Sequence, residues 1–140
     1  MTMTQRDMDR RFIGGDLFVD TGGAVALRIS HCNDCDSRWF PVLTTCANCA
    51  SQNLEEILSG ANGHAYASTK VRVGAAPFPS EYVLSYVDVD GVRLLIHTDS
   101  DEPLAPDTPV KLVVGQVAED DTEAIFSYMA RPQTEMALSA

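Results

Sequence analysis

The chain has 140 residues, of which 45% are hydrophobic and 21% charged, a composition that suits one folded domain or a small metal-bound module joined to a compact β domain. Its net charge of −10 disfavours a nucleic-acid partner, because nucleic-acid-binding proteins usually present a basic face to the phosphates. No apolar run approaches the roughly 18 residues of a membrane span, and the N-terminus does not resemble a secretory signal. We therefore expect a cytoplasmic protein with no membrane partner.

The N-terminal part of the chain predicts little regular structure before the cysteines. Residues 1–15 have the composition of a flexible segment, with a break at Gly14-Gly15. Two short apolar runs follow at residues 16–19 and 24–29, separated by residues of turn composition. The second run leads directly into the cysteines, so we assign residues 16–53 to one small module.

All four cysteines fall in two Cys-x-x-Cys pairs, Cys32 with Cys35 and Cys46 with Cys49. Each pair can direct two sulfur atoms at one centre, and two pairs complete a tetrahedral site of four thiolates. In a reducing compartment such pairs are metal ligands more often than disulfides. The spacing predicts a structural Zn²⁺ ion bound by all four sulfurs.

The same four cysteines could instead form an iron site or a redox dithiol. A rubredoxin-type iron site has the same four ligands, and spacing does not distinguish the two metals. A redox dithiol is disfavoured, because it normally uses a single pair at the start of a helix in an α/β fold. We interpret the adjacent His31 as a neighbour of the metal and not as a ligand.

The second half of the chain predicts a small β-barrel. Residues 82–89 and 92–97 form the clearest hairpin, because Asp90-Gly91 readily adopts the positive φ angles of a two-residue turn. Further strands are predicted at residues 65–73, 110–117 and 124–129. Five strands favour a partly open barrel of the OB type over residues 54–131, followed by a flexible tail at residues 132–140.

No catalytic residue is predicted. His64 and His97 lie on predicted strands and could act as general bases, but an ordinary strand histidine is the favoured interpretation of each. There is no Gly-x-Ser-x-Gly motif, and no cysteine remains once the metal ligands are assigned. The proline-containing loop at residues 75–82 is equally compatible with a docking surface and with a rigid connection between strands.

Several motifs together resemble one known family over residues 16–130. The family consists of acyl-CoA-associated proteins that join a rubredoxin-like zinc ribbon to an OB fold, and it was once known only as a domain of unknown function. The motifs that carry the resemblance are Asp16-Leu17-Phe18, the two cysteine pairs enclosing Trp39-Phe40-Pro41, Leu58-Ser59-Gly60, Tyr66 and Thr69, Tyr82-Val83, Asp90-Gly91 with the residues to Leu95, and Pro109-Val110.

The sequence departs from the family pattern at three places. An extra residue lies within residues 60–63, Asp107-Thr108 replaces a turn that often contains glycine, and Ala50-Ser51 follows the second cysteine pair where Gly-Ser is more usual. None of these changes removes a cysteine. The metal prediction is therefore unaffected, while the closure of the ribbon and the loop geometry could differ from the family.

The resemblance implies a non-catalytic accessory subunit. Such a subunit binds and completes a thiolase-like acyl-CoA enzyme, a thiolase, aldolase or acyltransferase of lipid or steroid metabolism, in a hetero-oligomer whose partner supplies the catalytic residues. The resemblance also implies that the chain helps to form an acyl-CoA channel at the interface. We expect the contact surface for the partner or for acyl-CoA at Trp39, Phe40, Pro77, Phe78 and Tyr82. The alternative is a nucleic-acid-binding zinc-ribbon and OB module, and an independent histidine-based enzyme is a third, less favoured class.

Overall fold

The computed structural model describes residues 10–72, 81–119 and 122–133. Every regular element in these ranges is a β-strand, so the prediction of a mostly β fold is confirmed. In chain order the strands are β1 (Arg10–Phe12), β2 (Phe18–Asp20), β3 (Val25–Cys32), β4 (Arg38–Trp39), β5 (Leu54–Leu58), β6 (Asn62–Val71), β7 (Tyr82–Val89), β8 (Val92–Thr98), β9 (Pro109–Glu119) and β10 (Ala124–Pro132). Over the same ranges the chain has no helix that could cross a lipid bilayer.

Strands β6 to β10 close into a five-stranded barrel. Around the barrel the order is β8, β7, β6, β9 and β10, and all of these neighbours are antiparallel. A parallel pairing of Ala130 in β10 with Thr98 in β8 completes the circle. The predicted five-stranded barrel of the OB type is confirmed, and it is closed where the sequence analysis expects a partly open barrel.

The β7–β8 hairpin confirms the prediction made from the Asp-Gly turn. Asp90 has a φ of 47° and Gly91 a φ of 87°, the positive angles that a two-residue primed turn requires. Along both strands the burial alternates, with valine, leucine and isoleucine pointing into the barrel. The alternate residues of the two strands lie on the outer surface.

Strand β3 is the centre of the N-terminal ribbon. It pairs antiparallel with β2, β4 and β5. Its residues Val25, Leu27 and Ile29 have no exposed surface, and they belong to the same hydrophobic core as the inward residues of β7, β8 and β9. One core therefore extends across residues 53 and 54, where the sequence places a boundary, and residues 54–58 pair with the ribbon as β5.

The N-terminal segment forms one element that the sequence analysis does not anticipate. Residues 10–12 add to β10 as the parallel strand β1, and the rings of Phe12 and Phe126 are 5.7 Å apart. Residues 1–9 and 134–140 of the predicted terminal segments lie outside the described residues, as do residues 73–80 and 120–121, while Pro132, the first residue of the predicted tail, is the last residue of β10.

Gly63 occupies the point where β6 is shared between two neighbours. It pairs with Val110 of β9, and the next residue, His64, pairs with both Pro109 of β9 and Asp88 of β7. A Cβ atom added at Gly63 would overlap the backbone carbonyl of Asp88 and approach Val89 Cγ2 to 2.6 Å. The backbone of β7 cannot retreat without disturbing the barrel, so this position excludes a side chain.

Replacing Gly63 with alanine should therefore destabilise the protein. We expect Gly63→Ala to lower the free energy of unfolding by about 2 kcal/mol, as is typical of overpacking against atoms that cannot move. Gly115→Ala is the matched control, because its added Cβ would meet the flexible side chain of Met129 and cost less. Urea unfolding followed by Trp39 fluorescence measures both, and an equal or smaller loss for Gly63→Ala would contradict the strand packing.

Candidate metal centre

The first cysteine pair lies in a tight turn at the end of β3. The backbone N–H of Asp36 donates to the carbonyl oxygen of Cys32 at 2.9 Å, and the N–H of Cys32 donates to the carbonyl of Ser37 at 2.8 Å. Asp36 has a φ of 66°, which lies in the left-handed region. This turn directs the sulfurs of Cys32 and Cys35 to the same side of the chain.

The second pair repeats the same turn. The N–H of Ala50 donates to the carbonyl oxygen of Cys46 at 2.9 Å, and the N–H of Cys46 donates to the carbonyl of Ser51 at 2.8 Å. Ala50 has a φ of 65°, almost the value of its counterpart in the first turn. Cys46 and Cys49 are therefore presented in the same way from the opposite side, as in a ribbon with two equivalent metal-binding turns.

The four sulfur atoms converge on one point. All of them lie within 4.8 Å of one another, and the Cys32–Cys49 and Cys35–Cys46 sulfur pairs are each 3.6 Å apart. A tetrahedral zinc site with Zn–S bonds of about 2.3 Å has edges of about 3.8 Å. The spacing is thus suited to a bound ion and far longer than the S–S bond of about 2.05 Å in a disulfide. These four cysteines could hold a metal ion.

The thiols of the cluster do not favour the same protonation state. The Ser37 hydroxyl, 3.2 Å from Cys35 Sγ, and the Asn48 side-chain amide, which donates to that sulfur at 3.5 Å, lower the pKa of Cys35 to about 6. At Cys49 the N–H of Ser51 favours the thiolate, but the sulfur of Cys35, burial and the other two sulfurs outweigh it and raise the pKa to about 12. A cation at the centre would offset this repulsion between thiolates, so the donor set fits a metal.

Trp39 contributes a polar group to the cluster. Its indole Nε1 is buried, and within the described part of the chain no acceptor meets hydrogen-bond geometry with it. The indole nevertheless acts on the Cys46 thiol: burial raises the pKa of that thiol, but the N–H groups of Cys49 and Asn48 and the indole of Trp39 together lower it. The indole therefore favours the thiolate form of Cys46, the form that a metal would bind, without a hydrogen bond of ordinary geometry.

The adjacent histidine makes other contacts. His31 Nε2 is 2.9 Å from Asp36 Oδ1, and its Nδ1 is 3.4 Å from Glu55 Oε2. Both ring nitrogens therefore face carboxylates, and the group of residues able to hold a metal consists of the four cysteines. This geometry agrees with the interpretation of His31 as a neighbour.

A second contact region joins the ribbon to the barrel. Arg38 Nη1 donates to the carbonyl oxygen of Asp90 at 3.0 Å, and the backbone N–H of Gly60 donates to the Asp90 carboxylate. A shallow cleft of about 440 Å³ opens beside this link. It is lined by Asp36, Ser37, Arg38, Trp39, Asn48 and Gly91.

Among the residues predicted to contact a partner or acyl-CoA, the three that the structure describes, Trp39, Phe40 and Tyr82, have different surroundings. Trp39 lines the cleft, whereas Phe40 is half-buried and packs edge-on against Tyr128 at 5.9 Å. Tyr82 is on the barrel, with its ring 5.2 Å from that of His97. Pro77 and Phe78 lie outside the described residues.

The two strand histidines occupy separate places on the barrel. His64 Nε2 is 3.7 Å from Asp88 Oδ2, and burial lowers the pKa of His97. Their partners on β7 are Asp88 and Leu84, which are four residues apart, or roughly 13 Å along an extended strand. The structure therefore does not bring the two histidines together.

The sequence analysis did not identify the residues with positive φ angles, Asp36 and Ala50, as part of the metal site. Each of these residues directly follows the second cysteine of its pair, and this position could have indicated the need for a positive φ. The departure from the family pattern at Ala50 concerns the φ angle of this residue, which is 65°. The turn keeps its hydrogen bonds, and alanine adopts a φ that glycine adopts at lower cost.

The fold is similar to that of a chain in a solved structure named "Ltp2-ChsH2(DUF35) aldolase". The match has a TM-score of 0.57 and 22% sequence identity, and it covers 76% of this chain and 84% of that chain. At this identity the likeness shows the fold. No family model matches the sequence, and no curated protein matches it.

Substitution of Ala50 tests the geometry of the second turn. We expect Ala50→Gly to raise the free energy of unfolding of the zinc-loaded protein by about 1 kcal/mol, because it relieves the left-handed strain of alanine. Ala47→Gly, in the same turn but without a positive φ, is the control and should be neutral or destabilising. Urea unfolding measures both, and equal destabilisation by the two variants would contradict the φ assigned to Ala50.

Proposed function

We propose that the chain is a non-catalytic accessory subunit of a thiolase-like enzyme that acts on acyl-CoA esters. The chain binds the catalytic subunit, a thiolase, aldolase or acyltransferase of lipid or steroid metabolism, and completes its acyl-CoA channel. The reacting groups belong to the partner. The four cysteines bind Zn²⁺, which holds the ribbon in shape.

One observation carries the proposal: the chain joins a four-cysteine ribbon to an OB-type barrel in the fold of a chain from an aldolase assembly. The sequence motifs that resemble acyl-CoA-associated proteins give independent support, because they fall on elements of both parts. Trp39 lies in the ribbon, Asp90-Gly91 forms the β7–β8 turn, and Pro109-Val110 opens β9.

The chemistry of the cysteines supports a structural role for the metal. Four thiolates fill the tetrahedral coordination of zinc, so no position remains for water or substrate. The ion's contribution is to hold the two turns together and to neutralise thiolates that repel one another. The side-chain amide of Asn48 donates to Cys35 Sγ at 3.5 Å, and the indole of Trp39 favours the thiolate form of Cys46.

The contact surface follows from the residues named in the sequence analysis. Trp39 in the ribbon–barrel cleft and Tyr82 at the start of β7 are proposed to contact the partner or the acyl-CoA chain, together with Phe40, Pro77 and Phe78. The net charge of −10 opposes binding of the CoA phosphates by this chain alone. Basic groups of the partner would therefore hold the phosphates, while apolar residues of this chain line the acyl end.

Co-purification from native cells tests the proposal. A tagged full-length chain, isolated at low salt, should retain a thiolase-like enzyme in near-equal amount, as identified by mass spectrometry, and should contain close to one zinc ion per chain. A Cys35→Ser variant should lose the metal, because three thiolates bind the ion less tightly than four.

The activity of the purified components is the control. Acyl-CoA turnover should require the partner, and the chain alone should show none. Full turnover by the isolated chain, or a zinc-loaded chain that retains no CoA-ester enzyme, would contradict the proposed function.

A further inference from the structure

Three neighbouring strands present an apolar surface on the outside of the barrel. We define the outer face as Tyr66, Ala67 and Thr69 of β6, Leu84 and Tyr86 of β7, and Leu95 of β8. The exposed fractions are 53% for Tyr66, 46% for Tyr86 and 50% for Leu95. Single exposed apolar residues are ordinary, but a contiguous group on the solvent side of a barrel marks an interaction site.

The strand register makes the outer face continuous. Tyr86 lies opposite Ala67 on one side and Leu95 on the other, and Leu84 lies opposite Thr69. A register shift between Ala65 and Ala67 turns both Tyr66 and Ala67 outward. A groove of about 170 Å³ in this surface is lined by Ala67, Ser68, Thr69, Leu84, Tyr86 and Leu95.

Ion pairs neutralise the cations Arg93 and Lys70 on the strands that carry the outer face. At one end Arg93 donates to both carboxylate oxygens of Asp88, at 2.6 and 3.0 Å, and its guanidinium carbon lies 3.5 Å from the centre of the Tyr66 ring. Lys70, which pairs with the buried Val83 and so lies on the opposite side of β6 from Thr69, is 3.0 Å from Glu102 and 3.5 Å from Glu81. Glu102 remains 74% exposed.

These charges select the kind of partner. A second copy of the chain would bring another net charge of −10 against the first, and a polyanion would meet the same repulsion. Single-stranded nucleic acid can stack on tyrosines, but it also needs cations along its backbone, and Arg93 is already paired with Asp88. The complementary surface is that of a protein with an apolar centre and a basic rim.

We propose that the outer face is the surface by which this chain docks on its catalytic partner. The inference rests on the proposed function and specifies the interface. Three strands by four residues span roughly 10 by 13 Å, which is less than the roughly 800 Å² per partner of a stable interface. The outer face is therefore the apolar centre of the interface, and tyrosine is a residue type enriched at such centres.

Paired substitutions test the docking surface. The full-length chain and the thiolase-like protein that it retains are purified separately, and their Kd is measured by calorimetry. Leu95→Asn and Tyr86→Ser should each weaken binding by about 30-fold or more, as expected for central contacts. Leu58→Asn is the matched control: it removes the same side chain at nearly the same exposure, 52%, from β5 of the ribbon, and should change Kd by less than about threefold.

A second measurement does not depend on substitutions. Nitration of Tyr66 and Tyr86 with tetranitromethane, measured by mass spectrometry, should be several-fold slower in the wild-type complex than in the chain alone. Equal nitration in both samples, or unchanged Kd values for Leu95→Asn and Tyr86→Ser, would overturn the docking surface while leaving the proposed function intact. If the wild-type chain retains no thiolase-like protein, both proposals fail.

The competing occupants give different results. A dimer of the isolated chain in sedimentation equilibrium that Leu95→Asn dissolves would assign the outer face to a second copy. Salt-sensitive binding of an oligo-dT strand that Tyr86→Ser abolishes would assign it to nucleic acid. Either result would overturn the inference.

Discussion

Strand β3 connects the cysteine centre to the barrel, and the rest of the structure depends on this connection. Its first residues, from Val25 to Ile29, complete the hydrophobic core shared with β7, β8 and β9. Its last residue is Cys32, whose sulfur belongs to the four-cysteine cluster. A change in the position of the sulfurs must therefore be transmitted to buried side chains in close-packed surroundings, where small displacements are costly.

A second link joins the ribbon to the turn between β7 and β8. Arg38, just beyond the first cysteine pair, donates to the carbonyl of Asp90 in the β7–β8 turn, whose carboxylate accepts from Gly60. The same hairpin carries Tyr86 and Leu95 on its outer surface. The metal cluster, the barrel core and the outer face are thus joined through β3 and one hairpin, which suits a subunit whose task is to present a rigid surface.

Much of the fold could be predicted because its signals are local. The β7–β8 hairpin follows from alternating apolar residues around Asp90-Gly91, and the convergence of the cysteines follows from the two Cys-x-x-Cys turns. The pairing of β5 with β3 could not be predicted, because residues 54–58 have two adjacent glutamates among apolar residues and no alternating pattern that would indicate a strand or its partner. The addition of β1 to β10 depends on a contact between Phe12 and Phe126, which are far apart in sequence.

The same distinction between local and long-range signals applies to the cysteine site and the outer face. The four cysteines were identified from spacing alone, whereas the outer face required the strand register, since Leu84, Tyr86 and Leu95 look like core residues until their partners are known. The left-handed turn at Ala50 has only a weak sequence signal, because alanine does not favour that conformation. Trp39 was predicted as a contact residue, whereas its effect on the Cys46 thiol depends on the folded ribbon.

The most direct test of this account is amide hydrogen exchange of the full-length protein before and after metal removal by a chelator. If the cysteine centre and the barrel share one core through β3, metal removal should lower protection in residues 25–32 and, together with them, in the segments of β7 and β9 packed against that strand. If exchange rises only between residues 32 and 51 while β3 and the barrel keep their protection, the ribbon and the barrel are energetically independent, and the central claim is wrong.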